Sequence, residues 1–147
     1  LGTDPLRRDT DGDHLTDAEE VSPRIDTNPL LADSDGDGLS DFREVVVHRT
    51  NPNLVDTDSE GLSDSEEVLV YGTDPQMFDT DQDGLSDYEE LADFGTDPLV
   101  DDSDGDGLVD FEEIFFYGTD PTNSDTDQDG VDDGDEVDAG TDPLDAK

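Results

Sequence analysis

The sequence predicts a tandem array of acidic loops, each followed by a short helix, stacked into an elongated, solenoid-like rod with little regular structure and no strands of note. Three observations predict it. A Thr-[Asp/Asn]-Pro tripeptide recurs from Thr3, Thr27, Thr50, Thr73, Thr96, Thr119 and Thr141, a period of 22 to 24 residues. Between successive copies lies an acidic twelve-residue block, opening at Asp9, Asp33, Asp56, Asp79, Asp102 and Asp125. After each block, apolar residues recur at helical spacing. The units expected are 6–29, 30–52, 53–75, 76–98, 99–121 and 122–143 within one array over 1–147.

Composition alone would allow a different answer. The 147 residues carry 46 Asp plus Glu against six Lys plus Arg, a formal charge of -40, with 29% hydrophobic residues. So little apolar surface and so much self-repulsion describe a disordered acidic segment unless cations neutralise the carboxylates. The same charge repels nucleic acid and anionic membranes. With no cysteine, neither disulfides nor thiolate metal sites contribute. No apolar run of 18 residues or signal peptide is present, so no membrane span is expected. The chain opens on Leu1-Gly2-Thr3-Asp4-Pro5, the closing phrase of the repeat, which suggests a fragment of a longer polypeptide.

The register of the acids decides against disorder. Aligned on its first Asp, every block places acids at positions 1, 3, 5, 9 and 12, and five of six place Gly at position 6. This is the EF-hand loop grammar. The candidate side-chain ligands are Asp9, Asp33, Asp56, Asp79, Asp102 and Asp125 at position 1; Asp11, Asp35, Asp58, Asp81, Asp104 and Asp127 at position 3; and Asp13, Asp37, Glu60, Asp83, Asp106 and Asp129 at position 5. Asp17, Asp41, Asp64, Asp87, Asp110 and Asp133 follow at position 9, and Glu20, Glu44, Glu67, Glu90, Glu113 and Glu136 at position 12. Position 7 would lend its backbone carbonyl: Leu15, Leu39, Leu62, Leu85, Leu108 and Val131. A hard cation such as Ca2+ wants six to eight oxygens at about 2.3–2.6 Å, and alternate side chains of a tight loop converge on one point. About six or more calcium ions are expected, one or more per loop.

Positions 7, 10, 13 and 16 are predicted to line one face of a helix about two turns long, closed by Gly72, Gly95, Gly118 or Gly140. Only about three residues separate Pro from the next loop, too few for an incoming helix, so each unit is a half EF-hand. With four or so apolar side chains apiece, units must pack on their neighbours.

These features, above all Asp79-Thr80-Asp81-Gln82-Asp83-Gly84-Leu85-Ser86-Asp87-Tyr88-Glu89-Glu90 with Gly95-Thr96-Asp97-Pro98, make the chain resemble a thrombospondin type 3 repeat array in its cysteine-free bacterial form. The resemblance covers essentially the whole chain and implies a calcium-wrapped stalk of an extracellular or bacterial cell-surface protein. More distantly it resembles the dockerin module, which docks a partner protein.

Departures from the pattern have expected consequences. His14 replaces Gly at position 6 of the first loop, and Pro23 should stop the first helix early. Glu60 is longer than the Asp elsewhere at position 5, and the last unit has Gly134 at position 10. His14 and His48 are assigned no ligand role. The Asp or Asn before Pro should cap a turn, the alternative being a ligand to a neighbouring ion. The position 2 hydroxyls (Thr10, Ser34, Thr57, Thr80, Ser103, Thr126) should bond within the loop, O-glycans being the alternative.

The function expected is calcium binding in an extracellular spacer, stalk or fibre segment. A protein-docking or adhesion module, using Ile114-Phe115-Phe116-Tyr117 or Val45-Val46-Val47, and a self-assembling fibril subunit that binds neighbouring copies are the rival readings. An enzyme is not expected, because no nucleophile stands beside a base and the acids belong to the loops.

Overall fold

The repeated tripeptide folds first as a turn. Asp or Asn accepts, through Oδ1, the N–H two residues on: Leu6 to Asp4 at 2.9 Å, Leu30 to Asn28 at 3.2 Å, Leu99 to Asp97 at 3.2 Å. Its carbonyl accepts a second bond three residues on, as in Leu31 to Asn28 at 2.9 Å. This Asx turn is the local hydrogen bonding that favours these residues before proline. The expected turn role of the Asp or Asn is therefore what the structure, a computed structural model describing residues 2–146, contains. Leu1, part of the opening phrase, lies outside the described residues.

Each loop then closes on itself. The position 9 N–H donates to the carbonyl of the residue before position 1 in all six units, for example Asp64 to Val55 and Asp133 to Ser124, both at 2.9 Å. Position 6 sits at positive φ throughout: Gly84 has φ 114° and His14 has φ 94°, so His14 keeps the loop's path at a conformational cost that Gly avoids.

Helices begin at position 9. In units 1, 3 and 4 they start with a capping box, Thr16 with Glu19, Ser63 with Glu66 and Ser86 with Glu89, each hydroxyl and carboxylate satisfying the other's backbone N–H. In units 3, 4 and 5 a first turn of α-helix, Asp64–Glu66, Asp87–Glu89 or Asp110–Glu112, runs into a wider π-helical turn, Glu67–Tyr71, Glu90–Phe94 or Glu113–Tyr117. Unit 2 has the π turn Arg43–His48. The length matches the two turns expected; the winding does not. Its reason is the helix end: a left-handed residue (Arg49, Gly72, Gly95, Gly118) donates its N–H to the position 12 carbonyl five residues back, at 2.6 Å for Gly72 to Glu67. Unit 1 stops at Glu20, ahead of Pro23 as expected, and unit 6 has the regular helix Asp133–Ala139. No strand occurs among the described residues.

The predicted apolar helix face is corrected by the burial pattern. Position 7 precedes the helix and is buried in five units as Leu15, Leu39, Leu62, Leu85 and Leu108. Position 13 is half-buried at Val45, Val68, Leu91, Ile114 and Val137, and exposed at Val21. What fills the rest of the interior is polar: the position 12 carboxylates of all six units, the position 9 carboxylates of units 2 to 6, and Thr27, Thr50, Thr73, Thr96 and Thr119 of the tripeptide. Periodicity located the helix but could not reveal that its inward face is acidic.

The chain divides into two compact units, Leu1–Met77 and Phe78–Lys147, each containing three loops. Within the first, Asn53 donates through Nδ2 to the Ile25 carbonyl at 3.3 Å, and Gln76 through Nε2 to the His48 carbonyl at 3.0 Å. His14 meets Phe42 edge-on with centroids 5.7 Å apart. Within the second, Phe111 is the hub of a ring cluster with Phe115 at 4.9 Å and Phe116 at 5.8 Å.

Candidate metal centre

The loop's own amides organise its first three carboxylates. Position 1 accepts from the N–H of position 4 through Oδ1 and of position 6 through Oδ2: in loop 5, Gly105 to Asp102 at 2.7 Å and Gly107 to Asp102 at 3.0 Å. Position 3 uses Oδ1 for the position 5 N–H, Asp106 to Asp104 at 3.2 Å. Position 5 uses Oδ1 for the position 7 N–H, Leu108 to Asp106 at 2.8 Å. The same ladder recurs in the other loops, with Glu60 reaching the Leu62 N–H at 2.7 Å despite its extra methylene. The result is convergence: carboxylate oxygens of Asp9, Asp11 and Asp13, of Asp33, Asp35 and Asp37, of Asp79, Asp81 and Asp83, and of Asp102, Asp104 and Asp106 all lie within 4.8 Å of one another.

Position 12 completes the cluster from the helix. Asp58, Glu60 and Glu67 fall within the same 4.8 Å limit in loop 3. Elsewhere the position 12 carboxylate feels the repulsion of positions 3 and 5 of its own loop: Glu44 that of Asp35 and Asp37, Glu90 that of Asp81 and Asp83. These glutamates are buried, and in units 2 to 5 Oε1 accepts the hydroxyl of the following Thr: Thr50 to Glu44 at 3.5 Å, Thr73 to Glu67 at 3.3 Å, Thr96 to Glu90 at 3.1 Å and Thr119 to Glu113 at 3.0 Å. The wide π turn brings that Thr over the carboxylate.

Oε2 is then left buried without a hydrogen-bond partner in Glu44, Glu67, Glu90 and Glu113, as is Oδ2 of Asp11, Asp35, Asp81, Asp104 and Asp127 at position 3. Burying an unpaired carboxylate oxygen among other carboxylates costs several kcal/mol, on the order expected of any uncompensated buried ion. Desolvation, then the neighbouring acids, pushes Glu44 up to about 9 and Glu67, Glu90 and Glu113 up to about 8. Asp81 and Asp104 rise to about 6, chiefly by desolvation. An all-oxygen, carboxylate-rich cage with one orphaned oxygen from each of two facing residues suits a hard divalent cation, and Ca2+ best of these.

Position 9, expected as a ligand, accepts hydrogen bonds from position 2 on both oxygens in loops 1 to 5, while in loop 6 Asp133 Oδ2 is buried without a partner. Asp41 is fully buried and accepts the Ser34 N–H through Oδ1 and the Ser34 hydroxyl through Oδ2, both at 2.7 Å. The pair recurs at Asp17, Asp64, Asp87 and Asp110. The position 2 hydroxyl also accepts an N–H from the preceding Asx turn, as in Asn51 to Thr57 at 2.9 Å and Asp120 to Thr126 at 2.9 Å. Position 2, expected to bond to the loop backbone, instead donates to the position 9 side chain and accepts from the preceding turn. Sequence reading missed the tripeptide Thr as part of the site. Its signal was present: Thr recurs unchanged in all seven copies, whereas the next residue alternates between Asp and Asn. His14 is exposed, and neither it nor His48 belongs to the clusters given above.

The repeat pattern has relatives. The sequence model of the bacterial TSP3 repeat matches residues 9–32, 33–54, 56–77, 79–100, 102–124 and 125–146. No curated protein matches the chain. Two solved structures share a local stretch with it: a "Biofilm associated protein - B domain", 49% identical over 31% of this chain and 11% of that one with TM-score 0.31, and a "Biofilm associated protein - BSP domain", 39% identical over 30% and 8% with TM-score 0.30. The chain therefore spans about a tenth of the length of either.

Proposed function

The chain belongs to the bacterial TSP3 repeat family, and from that premise we propose that it is a calcium-binding structural segment of an extracellular or cell-surface protein, a spacer stiffened by its ions. The observation that carries the reading is the buried position 12 glutamate, held on one oxygen by Thr and orphaned on the other toward positions 3 and 5. Side-chain oxygens of positions 1, 3, 5 and 12 would hold the ion, with the position 7 carbonyl beside them. The Thr would orient the position 12 ligand, and position 9, held by position 2 in loops 1 to 5, would brace the cage. A bound Ca2+ supplies positive charge in place of protons or water. Six such ions would bring the formal charge from -40 to about -28 and make folding depend on metal. Affinities of roughly 10⁻⁴ to 10⁻³ M suit an extracellular module. No catalytic role is proposed.

The test is small-angle scattering with circular dichroism while calcium is titrated from chelated buffer to several millimolar. An expanded chain should become ordered and stiff, gaining short-helix signal. Calcium binding with unchanged dimensions and spectrum would sink the stiffening and leave a flexible acidic buffer.

An adhesion reading is favoured by a separate observation. Positions 14 and 15 expose apolar side chains in three units: Val46 and Val47, Leu69 and Val70, and Phe115 and Phe116, the last pair 57% and 69% exposed. Paired unsatisfied apolar residues at a fixed place in the repeat are what a protein-docking face would present.

A further inference from the structure

Position 5 divides its carboxylate between two repeats. One oxygen accepts the N–H of position 7 in its own loop. The other accepts the N–H of position 10 in the following repeat, 28 or 29 residues on: Phe42 to Asp13 at 2.9 Å, Ser65 to Asp37 at 2.9 Å, Phe111 to Asp83 at 3.0 Å and Gly134 to Asp106 at 2.9 Å. The first pair of links lies within residues 2–77 and the second within 78–146, so each compact unit carries two of them.

The donor is well suited to this. Position 10 lies in the first turn of its helix, where backbone N–H groups have no intrahelical partner and carry the positive end of the peptide dipoles. Its side chain varies among the links, Phe, Ser, Phe and Gly, while the N–H is constant, so the contact is made by the backbone and only Pro would abolish it. The approach is close. Ser65 donates its hydroxyl to the Asp37 carbonyl at 2.7 Å, a Cβ on Gly84 would stand 3.2 Å from the Phe111 ring, and a Cβ on Gly134 would run into the Asp106 carbonyl oxygen. The acceptor belongs to a cluster whose position 12 partner, Glu44 in loop 2, is 0% exposed with Oε2 orphaned.

We infer that the position 10 N–H of Phe42, Ser65, Phe111 and Gly134 is a positioning group for the metal cage of the preceding loop, so that coupling between calcium sites within each compact unit is directional: the affinity of loops 1, 2, 4 and 5 is set by the repeat that follows. Position 5 has two oxygens to orient, each keeping a further lone pair for an ion, and only one is held from within the loop. By linkage, an ion in one loop tightens the docking of the next repeat by the same factor. Stiffening would then spread from contact to contact within each compact unit, the ions of loops 1, 2, 4 and 5 clamping a junction as well as a loop. This rests on the calcium reading above.

The experiment uses the full chain, ¹⁵N-labelled, titrated with calcium alone. Gly38 and Gly61 donate to the position 1 carboxylates Asp33 and Asp56, both at 3.2 Å, and so report separately on loops 2 and 3. Ser65→Pro removes the N–H; Ser65→Ala keeps it and removes only the hydroxyl. The expected result is that Ser65→Pro weakens loop 2 about tenfold, the size of a lost hydrogen bond to a charged group, while loop 3, which contains the substitution, changes by less than about twofold. Ser65→Ala should leave loop 2 within about threefold of the parent. Loop 2 unchanged would overturn the coupling. Because Ser65→Pro can also disturb both loops through its helix, an amide-to-ester replacement at the Asp64–Ser65 bond removes the same donor without the ring, and equal weakening of loops 2 and 3 by the ester would overturn the coupling too. If neither glycine responds to calcium in the parent chain, the calcium reading itself fails, an outcome distinct from failed coupling.

Discussion

Loops 5 and 6 share one compact unit and one ligand pattern, yet they are closed to different degrees. In loop 5 Leu108 is 6% exposed, Glu113 is fully buried under the Thr119 hydroxyl, and the second oxygen of Asp106 is taken by the Gly134 N–H. In loop 6 Val131 is 43% exposed, and Thr141 donates its hydroxyl to the main-chain carbonyl of Glu136 at 3.1 Å. The helices differ with them. Unit 5 ends in the π turn Glu113–Tyr117, whereas unit 6 keeps the α-helix Asp133–Ala139. Both loops keep the amide ladder from position 1 to position 7, so the ladder is a local property of the acidic block. Closure depends on what packs beyond the block.

The largest expected effect that tests this contrast is at position 12. Glu113→Gln removes a charge from a site already sealed, so calcium affinity in loop 5 should fall by about 100-fold or more, on the scale of losing a ligand. Glu136, 5% exposed, is also buried, but Val131 leaves the flank of its loop open, so Glu136→Gln should weaken loop 6 less, about tenfold. Site-resolved titration read at Gly107 and Gly130, which report on loops 5 and 6, measures both. Equal losses would break the comparison. Without calcium the sign reverses for loop 5: Glu113→Gln should stabilise the metal-free fold above about pH 4.5, since Gln needs neither the proton that Glu113 must take up to fold nor, above about pH 8, burial of its charge.

Protons should compete next most strongly. Desolvation raises Glu113 from the ordinary 4.5 to about 8 and Glu44 to about 9, so the metal-free fold holds a proton that the unfolded chain releases. The contribution to metal-free stability is therefore fully present below about pH 4.5 and is lost as pH rises toward 8 or 9. Calcium must displace that proton. Affinity should climb about tenfold per pH unit up to about 8 in loop 5, where one proton leaves per ion, and then level off. Glu136 is raised by the same cause, and its more open surroundings predict a shallower climb in loop 6. Calorimetry in two buffers of different ionisation enthalpy counts the protons released, and carbon-detected NMR of the glutamate carboxyls assigns them. Flat affinity from pH 6 to 9 would mean that the buried glutamates are already ionised.

Much of this architecture was legible in the residues because it is written in short-range grammar. The loop register, the positive φ at position 6, the Asx turn, the left-handed helix end at Gly72 and the early stop before Pro23 each depend on a few neighbouring residues. The capping boxes at Thr16, Ser63 and Ser86 were equally readable as Thr or Ser followed three residues later by Glu, and went unread. Three features were not legible. Hydrophobic periodicity weights only apolar residues, so it made positions 10, 13 and 16 a core face when the interior is built from Asp, Glu and Thr. A carboxylate's two oxygens look alike in sequence, so nothing marked position 9 as bonded to position 2. The link from position 10 to the previous loop is a backbone contact and leaves no side-chain signature.

The smallest of the three effects isolates the group that sequence reading passed over. Thr119→Val keeps the shape of the side chain and removes the hydroxyl that holds Glu113 Oε1 at 3.0 Å, leaving a second oxygen of a buried carboxylate unpaired. A group that orients a metal ligand through a hydrogen bond is worth about 10-fold in affinity at the lower end of what such partners contribute. Loop 5 should weaken by about that factor. Thr141 bonds to the backbone at Glu136, so Thr141→Val should change loop 6 affinity by no more than about twofold while loosening the helix end it caps. Thr119→Ser, which restores the hydroxyl, should recover loop 5, and that rescue separates orientation of the ligand from simple filling of space. If Thr119→Val and Thr141→Val prove equal, the difference between the two loops lies in the apolar closure at Leu108 and Val131 alone, and the threonine of the repeated tripeptide is there for the turn.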